Sequence, residues 1–276
     1  MSVRIDLHLH TTVSDGRSTP EDLVAEAASA GLSTIAVTDH DTTGAWATVA
    51  AAAQARGMSC VPGIEITAVH EGRDVHVLAY LFDPDGVELA AFLAEQRVDR
   101  RRRLFLMADA LDRLGVPVDR APLRAAAEAS SGRSPGRPML ADALVRAGHV
   151  KNIVEAFDRY LAEGRPAFVS RDGASIQDVI ALVARAGGLT SLAHPGKLKR
   201  DDLIPALAAA GLDAIEVHHP DHDEVATARY RRLARQHALL VTGGSDYHGK
   251  GSGRTAGLGR IGLGAEDYAR LVERAR

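Results

Sequence analysis

Near its start the chain reads Val3-Arg4-Ile5-Asp6-Leu7-His8-Leu9-His10, an apolar run with two histidines separated by one leucine. The run predicts a β-strand, and strand side chains alternate with a period of two, so both imidazoles lie on one face. Seven more His, Asp and Glu side chains follow at predicted strand ends: Asp15, His40, Glu65, His76, His194, Asp246 and His248. None of the nine is Cys, and this set suits Zn, Mn or Fe in a hydrolytic site better than a closed thiolate site. The pattern predicts a multinuclear metal hydrolase.

Short β-rich runs alternate with Ala-rich helical stretches, which is typical of a parallel sheet or barrel. Strands are predicted at Val3–Leu9, Thr34–Thr38, Ser59–Ile66, Asp74–Leu81, Leu189–Ala193, Ala214–Val217 and Leu239–Thr242. Helices are predicted at Pro20–Ala30, after the N-terminal signal Ser18-Thr19, and at Gly44–Arg56. His70-Glu71-Gly72-Arg73 predicts a hairpin turn, so we expect an irregular barrel there. In parallel barrels the working residues gather at the C-terminal ends of the strands, and we expect the nine side chains to meet there.

Strand patterns are absent from residues 88–164, where helical patterns take over. A βα crossover needs only about a dozen residues, so an inserted helical cap is favoured over ordinary crossover helices. We therefore predict a barrel domain from residues 1–87 and 165–276 and a cap from residues 88–164. The cluster Arg100–Arg103 is interpreted first as a solvated helix face and second as positive charge above an anion site.

Composition limits the classes of partner. The 276 residues have a formal net charge of −3, which gives no basic field for long duplex nucleic acid. The single Cys60 excludes an intramolecular disulfide framework and fits a reducing compartment. The chain has no apolar stretch near the ~18 residues that span a membrane and no signal-peptide pattern at its start. We expect a cytoplasmic protein without a membrane partner.

Six spaced motifs carry a resemblance to a known family. They are His8-x-His10 with Asp15, Thr38-Asp39-His40, Pro62-Gly63-Ile64-Glu65, Val75-His76, Ala193-His194-Pro195 and Gly244-Ser245-Asp246-x-His248. In this order they resemble the PHP (polymerase and histidinol phosphatase) superfamily. The helical insert and Gly136-Arg137-Pro138 are similar to stand-alone PHP phosphoesterases that act on nucleotides. The resemblance implies an α/β fold, a distorted seven-stranded (β/α) barrel with a trinuclear metal site at its mouth.

The resemblance also implies how three divalent transition-metal ions, Mn, Fe or Zn, would be held. By motif position the first would bind His8, His10, Glu65 and Asp246, the second Glu65, His76 and His194, and the third Asp15, His40 and His248. We expect catalysis to depend most on Glu65, Asp246 and His194. Two adjacent cations can share a bridging hydroxide, because coordination brings the pKa of water toward neutrality, and this hydroxide would attack phosphorus in line.

Positive side chains must still hold the phosphate. Arg137 is the first candidate, since a guanidinium matches phosphate bidentately. Lys197 and His219 follow the fifth and sixth predicted strands and are further candidates for substrate binding, with a surface role as the alternative. Many relatives have His where this chain has Met139, and a thioether cannot donate a hydrogen bond or carry charge.

These patterns predict metal-dependent hydrolysis of phosphomonoesters of small nucleotides. By resemblance, the leading substrate is the 3′-phosphate of a nucleoside 3′,5′-bisphosphate. The alternatives are a 5′→3′ exonuclease on short oligonucleotides, a histidinol-phosphatase-like enzyme, and a non-catalytic metal-binding module. The last is disfavoured because a degenerate module should have lost ligands, and all nine positions are filled.

Overall fold

The computed structural model describes residues 4–128, 132–252 and 257–275. Seven strands in these residues form one sheet, in which the order of the strands follows the order of the chain. The strands are β1 Ile5–Leu9, β2 Thr34–Val37, β3 Ser59–His70, β4 Arg73–Tyr80, β5 Leu189–Leu192, β6 Ala214–His218 and β7 Leu240–Gly243. β1, β2 and β3 pair in parallel, β4 is antiparallel to both neighbours, and β5, β6 and β7 are again parallel. All seven predicted strands are present, and the predicted start at Val3 lies outside the described residues.

The sheet curves until its first and last strands come together and almost close a barrel. The His10 N–H donates to the Tyr247 carbonyl oxygen at 2.9 Å, and the Leu263 N–H donates to the Ile5 carbonyl oxygen at 2.9 Å. Gly244 lies at a close approach of these chain segments, since a Cβ there would be 2.4 Å from the His8 backbone nitrogen. Only glycine fits such a close backbone approach. The predicted α/β fold with a distorted seven-stranded barrel is confirmed.

The hairpin of β3 and β4 is the main distortion of the barrel. Glu71 and Gly72 form its two-residue turn with φ values of 51° and 77°, the left-handed backbone that such a turn requires. The predicted hairpin is confirmed, but pairing with β4 extends β3 to His70 instead of ending it at Ile66.

The long hairpin changes where two predicted ligands lie along their strands. Glu65 is inside β3, and His76 is inside β4, where it pairs with Thr67. The expectation that these two residues occupy strand ends is therefore wrong. The continued ladder still brings both side chains to the end of the barrel where the other strands stop, because β4 runs in the opposite direction.

The described residues also form eleven α-helices. They are α1 Pro20–Ser29, α2 Trp46–Gln54, α3 Val87–Arg113, α4 Ala121–Glu128, α5 Arg137–Arg146, α6 Ile153–Ala156, α7 Ile176–Arg185, α8 Pro195–Leu198, α9 Ile204–Ala209, α10 Glu224–Gln236 and α11 Ala265–Arg274. A π-helical turn, Phe157–Leu161, continues α6, and a 3₁₀ turn, Asp201–Leu203, precedes α9. α1 begins as its sequence predicts, because the Thr19 side chain accepts from the Asp22 N–H at 3.1 Å. Within the described ranges, no helix has both the length and the hydropathy of a membrane-crossing segment.

Helices α3 to α6 lie between β4 and β5 and form the insert, which has an apolar core of its own. Leu104, Met107 and Leu111 of α3 are buried against Leu140 and Leu144 of α5. The barrel strands and α7 belong to a separate apolar cluster. This core gives the insert a fixed shape above the barrel. Its treatment as a domain with boundaries at residues 88 and 164 stays a prediction.

Candidate metal centre

The nine predicted ligands come from six strands, or from the loops that follow them, and meet at one end of the barrel. The ligands form three overlapping sets, and within each set the ligand atoms lie within 4.8 Å of one another. The sets are His10, Asp15, His40 and His248; His8, His10 and Asp246; and His40, Glu65 and His76. His194 lies beside the third set. Six of the nine residues are buried, and Asp15, His76 and His194 are partly exposed. The cluster is therefore mostly buried and reaches solvent at these three residues.

Glu65 lies at the middle of this cluster with 1% of its surface exposed. Its Oε1 is 2.7 Å from His76 Nδ1 and 3.0 Å from His194 Nε2. Its Oε2 lies 3.2, 3.3 and 3.4 Å from ring nitrogens of His40, His10 and His8 respectively. One carboxylate therefore approaches ring nitrogens from five different histidines.

Burial and charge act against each other at these groups. Burial raises the pKa of the Glu65 carboxyl, but the imidazoles of His40, His76 and His8 outweigh it and hold that pKa well below its usual range. Burial lowers the pKa of His194 to about 4, although Glu65 opposes the shift. A charged carboxylate and a neutral imidazole are the forms in which these side chains bind a metal ion.

The donor atoms fit metal ions better than they fit one another. Among the described residues, both ring nitrogens of His10 and the Nδ1 atoms of His40 and His76 are buried without a hydrogen-bond partner. Several of them lie near carboxylate oxygens but lack hydrogen-bond geometry. Buried polar groups are normally satisfied, so this concentration of unpartnered nitrogens is the signature of a ligand site. Nitrogen and oxygen donors of this kind suit Zn, Mn and Fe.

Two buried carboxylates that sequence reasoning missed hold the loops that carry ligands. Asp39 accepts from the Thr11 N–H at 2.8 Å and the Thr11 hydroxyl at 2.6 Å, and so fixes the loop that carries Asp15. Asp6 accepts from the Ser245 N–H at 2.9 Å, directly before Asp246. For Asp6 a signal was available in the sequence, because an acidic residue inside an apolar strand needs buried partners.

Asp41 connects the metal ligands with the insert. Its N–H donates to the Glu65 carbonyl oxygen at 3.0 Å, and its Oδ1 accepts from the Thr67 N–H at 2.7 Å. Its Oδ2 accepts from Arg100 Nε of α3 and lies 3.3 Å from Arg171 Nη1, just after the insert. These five residues, named here the Asp41 cluster, join the strands that carry His40 and Glu65 to the insert. Arg100 is therefore not on a solvated face.

Arg137 opens α5 and faces the partly exposed side of the cluster. Its Nη2 lies 3.4 Å from Asp74 Oδ2, and its guanidinium carbon lies 5.9 and 5.6 Å from the ring centroids of Phe157 and Phe168. A cavity of about 170 Å³ adjoins the ligands Asp15, His40 and His76 and is also lined by Arg100, Arg103, Arg137 and Arg171. Four arginines therefore line the cavity beside the cluster, and two of them, Arg100 and Arg171, are also paired with Asp41. Met139, two residues further on, packs against the core of the insert.

Lys197 and His219 both lie beside the Asp246 carboxylate. Lys197 Nζ is 3.2 Å from Asp246 Oδ2 and 3.0 Å from Asp221 Oδ2. His219 is 2% exposed, accepts from the Asp221 N–H at its Nδ1, and places its Nε2 3.2 Å from Asp246 Oδ2. The structure brings Lys197 to a second cavity of about 200 Å³ with Arg137, whereas His219 lies beneath the surface.

A comparison with known proteins matches the part of the chain that carries most of these ligands. The family model of the PHP domain matches residues 6–185, which include six of the nine ligands with His8, Glu65 and His76 among them. The chain belongs to the PHP family. Two PHP relatives are each 34% identical over 256 residues, which is 90% of this chain. They are the 5′-3′ exoribonuclease Rnm of Escherichia coli K12, covered over 86% of its length, and a 3′,5′-nucleoside bisphosphate phosphatase of Chromobacterium violaceum, covered over 88%.

The fold of a solved PHP relative is also close. A crystal structure from Bifidobacterium adolescentis, of a protein assigned to the metal-dependent phosphoesterases, superposes with a TM-score of 0.90 at 35% identity. The match covers 99% of this chain and 97% of that one. The helical insert is therefore shared along with the barrel.

We predict that Asp41→Asn destabilises the metal-free protein by about 3–5 kcal/mol, because it leaves two buried guanidinium groups without a full countercharge. Arg100 and Arg171 hold the pKa of Asp41 below its usual range despite burial, which alone would raise it. The stabilisation is therefore complete at neutral pH and is lost only as pH falls below about 3.9, the ordinary carboxyl pKa. Denaturant unfolding at pH 7 measures the loss.

The matched control is Glu88→Gln, which removes the charge of an exposed ion pair with Arg185. Exposed pairs contribute little, so this variant should unfold at nearly the same denaturant concentration as wild type. Equal behaviour of the two variants would show that the Asp41 cluster does not hold the insert on the barrel.

Proposed function

We propose that this protein is a metal-dependent phosphoesterase that hydrolyses phosphomonoesters of small nucleotides. The observation that carries the proposal is the nine-ligand cluster, whose open side adjoins a cavity bordered by four arginines. A phosphate group needs both parts, since cations stabilise its charge and guanidinium groups orient its oxygens. The relationship to PHP phosphoesterases supports the same chemistry.

We propose that three divalent ions bind in the grouping expected from the motifs. His8, His10, Glu65 and Asp246 would hold the first, Glu65, His76 and His194 the second, and Asp15, His40 and His248 the third. The distances around Glu65 support its place between two of these groups. Such ions supply Lewis-acid activation of water and offset charge on the phosphoryl oxygens.

The side chains of the chain itself would bind and orient the substrate. Arg137 would hold the phosphate by two parallel hydrogen bonds, while Asp74 and the two phenylalanine rings restrict its guanidinium group. Lys197 would bind a second anionic group from the neighbouring cavity. His219 donates from Nε2 toward Asp246, which favours a role in fixing that ligand over direct contact with substrate.

We propose the 3′-phosphate of a nucleoside 3′,5′-bisphosphate as the leading substrate. Two cavities with positive side chains meet at the cluster, so that one phosphate could lie at the ligands and the other against Arg137 or Lys197. The insert leaves only small cavities over the ligands, which favours mononucleotides or short ends. We also propose a cytoplasmic location, because the single Cys60 fits a reducing compartment.

A 5′→3′ exonuclease on short oligonucleotides is the second candidate. A third cavity of about 130 Å³, lined by Asp15, Arg17 and His248, opens on another side of the cluster and could receive a leaving chain. The Escherichia coli relative, itself an exoribonuclease, is as similar as the phosphatase.

One comparison separates the two candidates. The metal-reconstituted enzyme would be given a nucleoside 3′,5′-bisphosphate, the matching 5′-monophosphate and a ten-nucleotide RNA under one set of metal conditions. We expect the highest kcat/KM for the bisphosphate and a steep fall with length. If the long RNA is the best substrate, the exonuclease replaces the phosphatase.

We predict three divalent ions per chain under metal-replete conditions. The reason is that eight of the nine ligands fall into three overlapping sets of neighbouring donor atoms, with His194 beside Glu65 of the third set. Elemental analysis after removal of free metal measures the number of ions per chain. A value of one ion or fewer would contradict the trinuclear proposal.

Glu65→Gln should abolish turnover and lower the metal content, because an amide oxygen is a weaker ligand that cannot bridge two cations. The fold should survive, since the strand around Glu65 is otherwise apolar. The control is Glu71→Gln at the exposed tip of the same hairpin, which should keep both turnover and metal. Near-normal activity of Glu65→Gln would remove this residue from the site.

Arg137→Ala should lower kcat/KM for phosphomonoesters roughly 30- to 1,000-fold, which corresponds to about 2–4 kcal/mol for one lost electrostatic stabiliser. Arg146→Ala, at the exposed far end of the same helix, is the matched control and should leave kcat/KM unchanged. Steady-state kinetics of both variants measure the difference. An unchanged value for Arg137→Ala would show that the insert does not contact the phosphate.

A further inference from the structure

Glu216 is a buried carboxylate that belongs to none of the three ligand sets. It lies in β6 between Ile215 and Val217, and its exposed fraction is 0%. Neither of its neighbours in the strand offers a polar side chain. A charged group in such a position must have strong partners, because an unpaired buried charge is costly.

The first partner is a ring nitrogen of His8. Glu216 Oε1 lies 2.7 Å from His8 Nδ1, so this nitrogen carries the proton and donates it. In the neutral imidazole that binds a metal ion, the other ring nitrogen, Nε2, would then carry the lone pair; it faces the ligand cluster, 3.4 Å from Glu65 Oε2 and 3.4 Å from Asp246 Oδ1. A carboxylate that accepts from one imidazole nitrogen fixes the tautomer and the ring orientation of the other.

The second partner is the backbone of His194. Glu216 Oε2 accepts from the His194 N–H at 2.7 Å. His194 has φ 29° and ψ 58°, in the left-handed region that residues other than glycine seldom adopt. Such a conformation persists only where the surroundings determine it. The hydrogen bond from Glu216 supplies one such constraint directly at the ligand residue.

We propose that Glu216 is a positioning residue for the metal centre, which sets the tautomer of His8 and holds the backbone of His194. The inference rests on the proposed metal centre. One side chain thereby orients ligands from two separate parts of the sheet, β1 and the segment after β5. It does so through both carboxylate oxygens, and in the described part of the chain no other side chain forms a hydrogen bond with either of these two donors.

Glu216→Gln is the informative change because it keeps the shape and removes one acceptor. The amide can accept from His8 or from His194, but its NH₂ group then faces the remaining donor. If Glu216 only fills space, the isosteric amide should leave the affinity for Zn²⁺ unchanged. If it positions ligands, the affinity for Zn²⁺ should fall about 10- to 100-fold, the usual effect of losing such a partner.

The experiment measures Zn²⁺ affinity of the metal-stripped full-length protein by competition with a chelator, without reference to any substrate. The matched control is Ser191→Ala, which removes a buried 2.7 Å hydrogen bond to Thr242 elsewhere in the barrel. Thermal unfolding of the metal-free forms checks that both variants fold. We expect weaker binding in Glu216→Gln and wild-type binding in Ser191→Ala.

A second measurement uses the wild-type protein and does not depend on the variant folding. Nitrogen NMR of the Zn²⁺-loaded protein, assigned from the signals that His8→Gln removes, should show a proton on His8 Nδ1. A proton on Nε2 instead would overturn the inference, as would wild-type affinity in Glu216→Gln or an equal loss in Ser191→Ala. If the wild-type chain binds no Zn²⁺ at all, the proposed metal centre itself fails and the inference fails with it.

Discussion

The arrangement of this molecule depends on holding many donor atoms together without letting all of them satisfy one another. Imidazoles and carboxylates would ordinarily form hydrogen bonds, and several here approach within such distances without the required geometry. What keeps them apart is the barrel backbone, which fixes each strand, and a set of further buried carboxylates. Asp6, Asp39 and Glu216 accept hydrogen bonds from backbone N–H groups, and Glu216 also accepts from the His8 ring nitrogen that faces away from the cluster. The remaining ligand nitrogens are thereby left to face the cluster.

Much of this could be predicted from the sequence, because strand periodicity and motif order are local properties. The His8-x-His10 pair, the order of the strands and the hairpin at Glu71-Gly72 follow from patterns within a few residues. The predicted end of β3, at Ile66, was wrong for a physical reason. Residues 67–70 belong to the strand only because β4 folds back onto them, and no pattern within β3 specifies how far that pairing extends.

The partners of the buried charges could not be predicted, since they are distant along the chain. Arg100 is 59 residues from Asp41, and Arg171 is 130 residues from it. A run of arginines on a helix is normally solvated, but α3 also packs in the barrel core through Leu89 and Leu93, and Arg100 on this helix reaches Asp41. Glu216 gave a signal as an acid in an apolar strand, but that signal does not say which donors it meets.

The Asp41 cluster has a consequence for exchanging inserts between members of this family. A chimera cut at residues 88 and 164 would import a foreign α3 yet keep the host Arg171, so the two guanidinium groups on Asp41 would come from different parents. The structural unit that can be transplanted therefore runs past the last helix of the insert, through residue 171. Grafts that include the whole segment would carry both arginines, and the receiving barrel would need counterparts of Asp41, after the histidine that follows its second strand, and of Thr67.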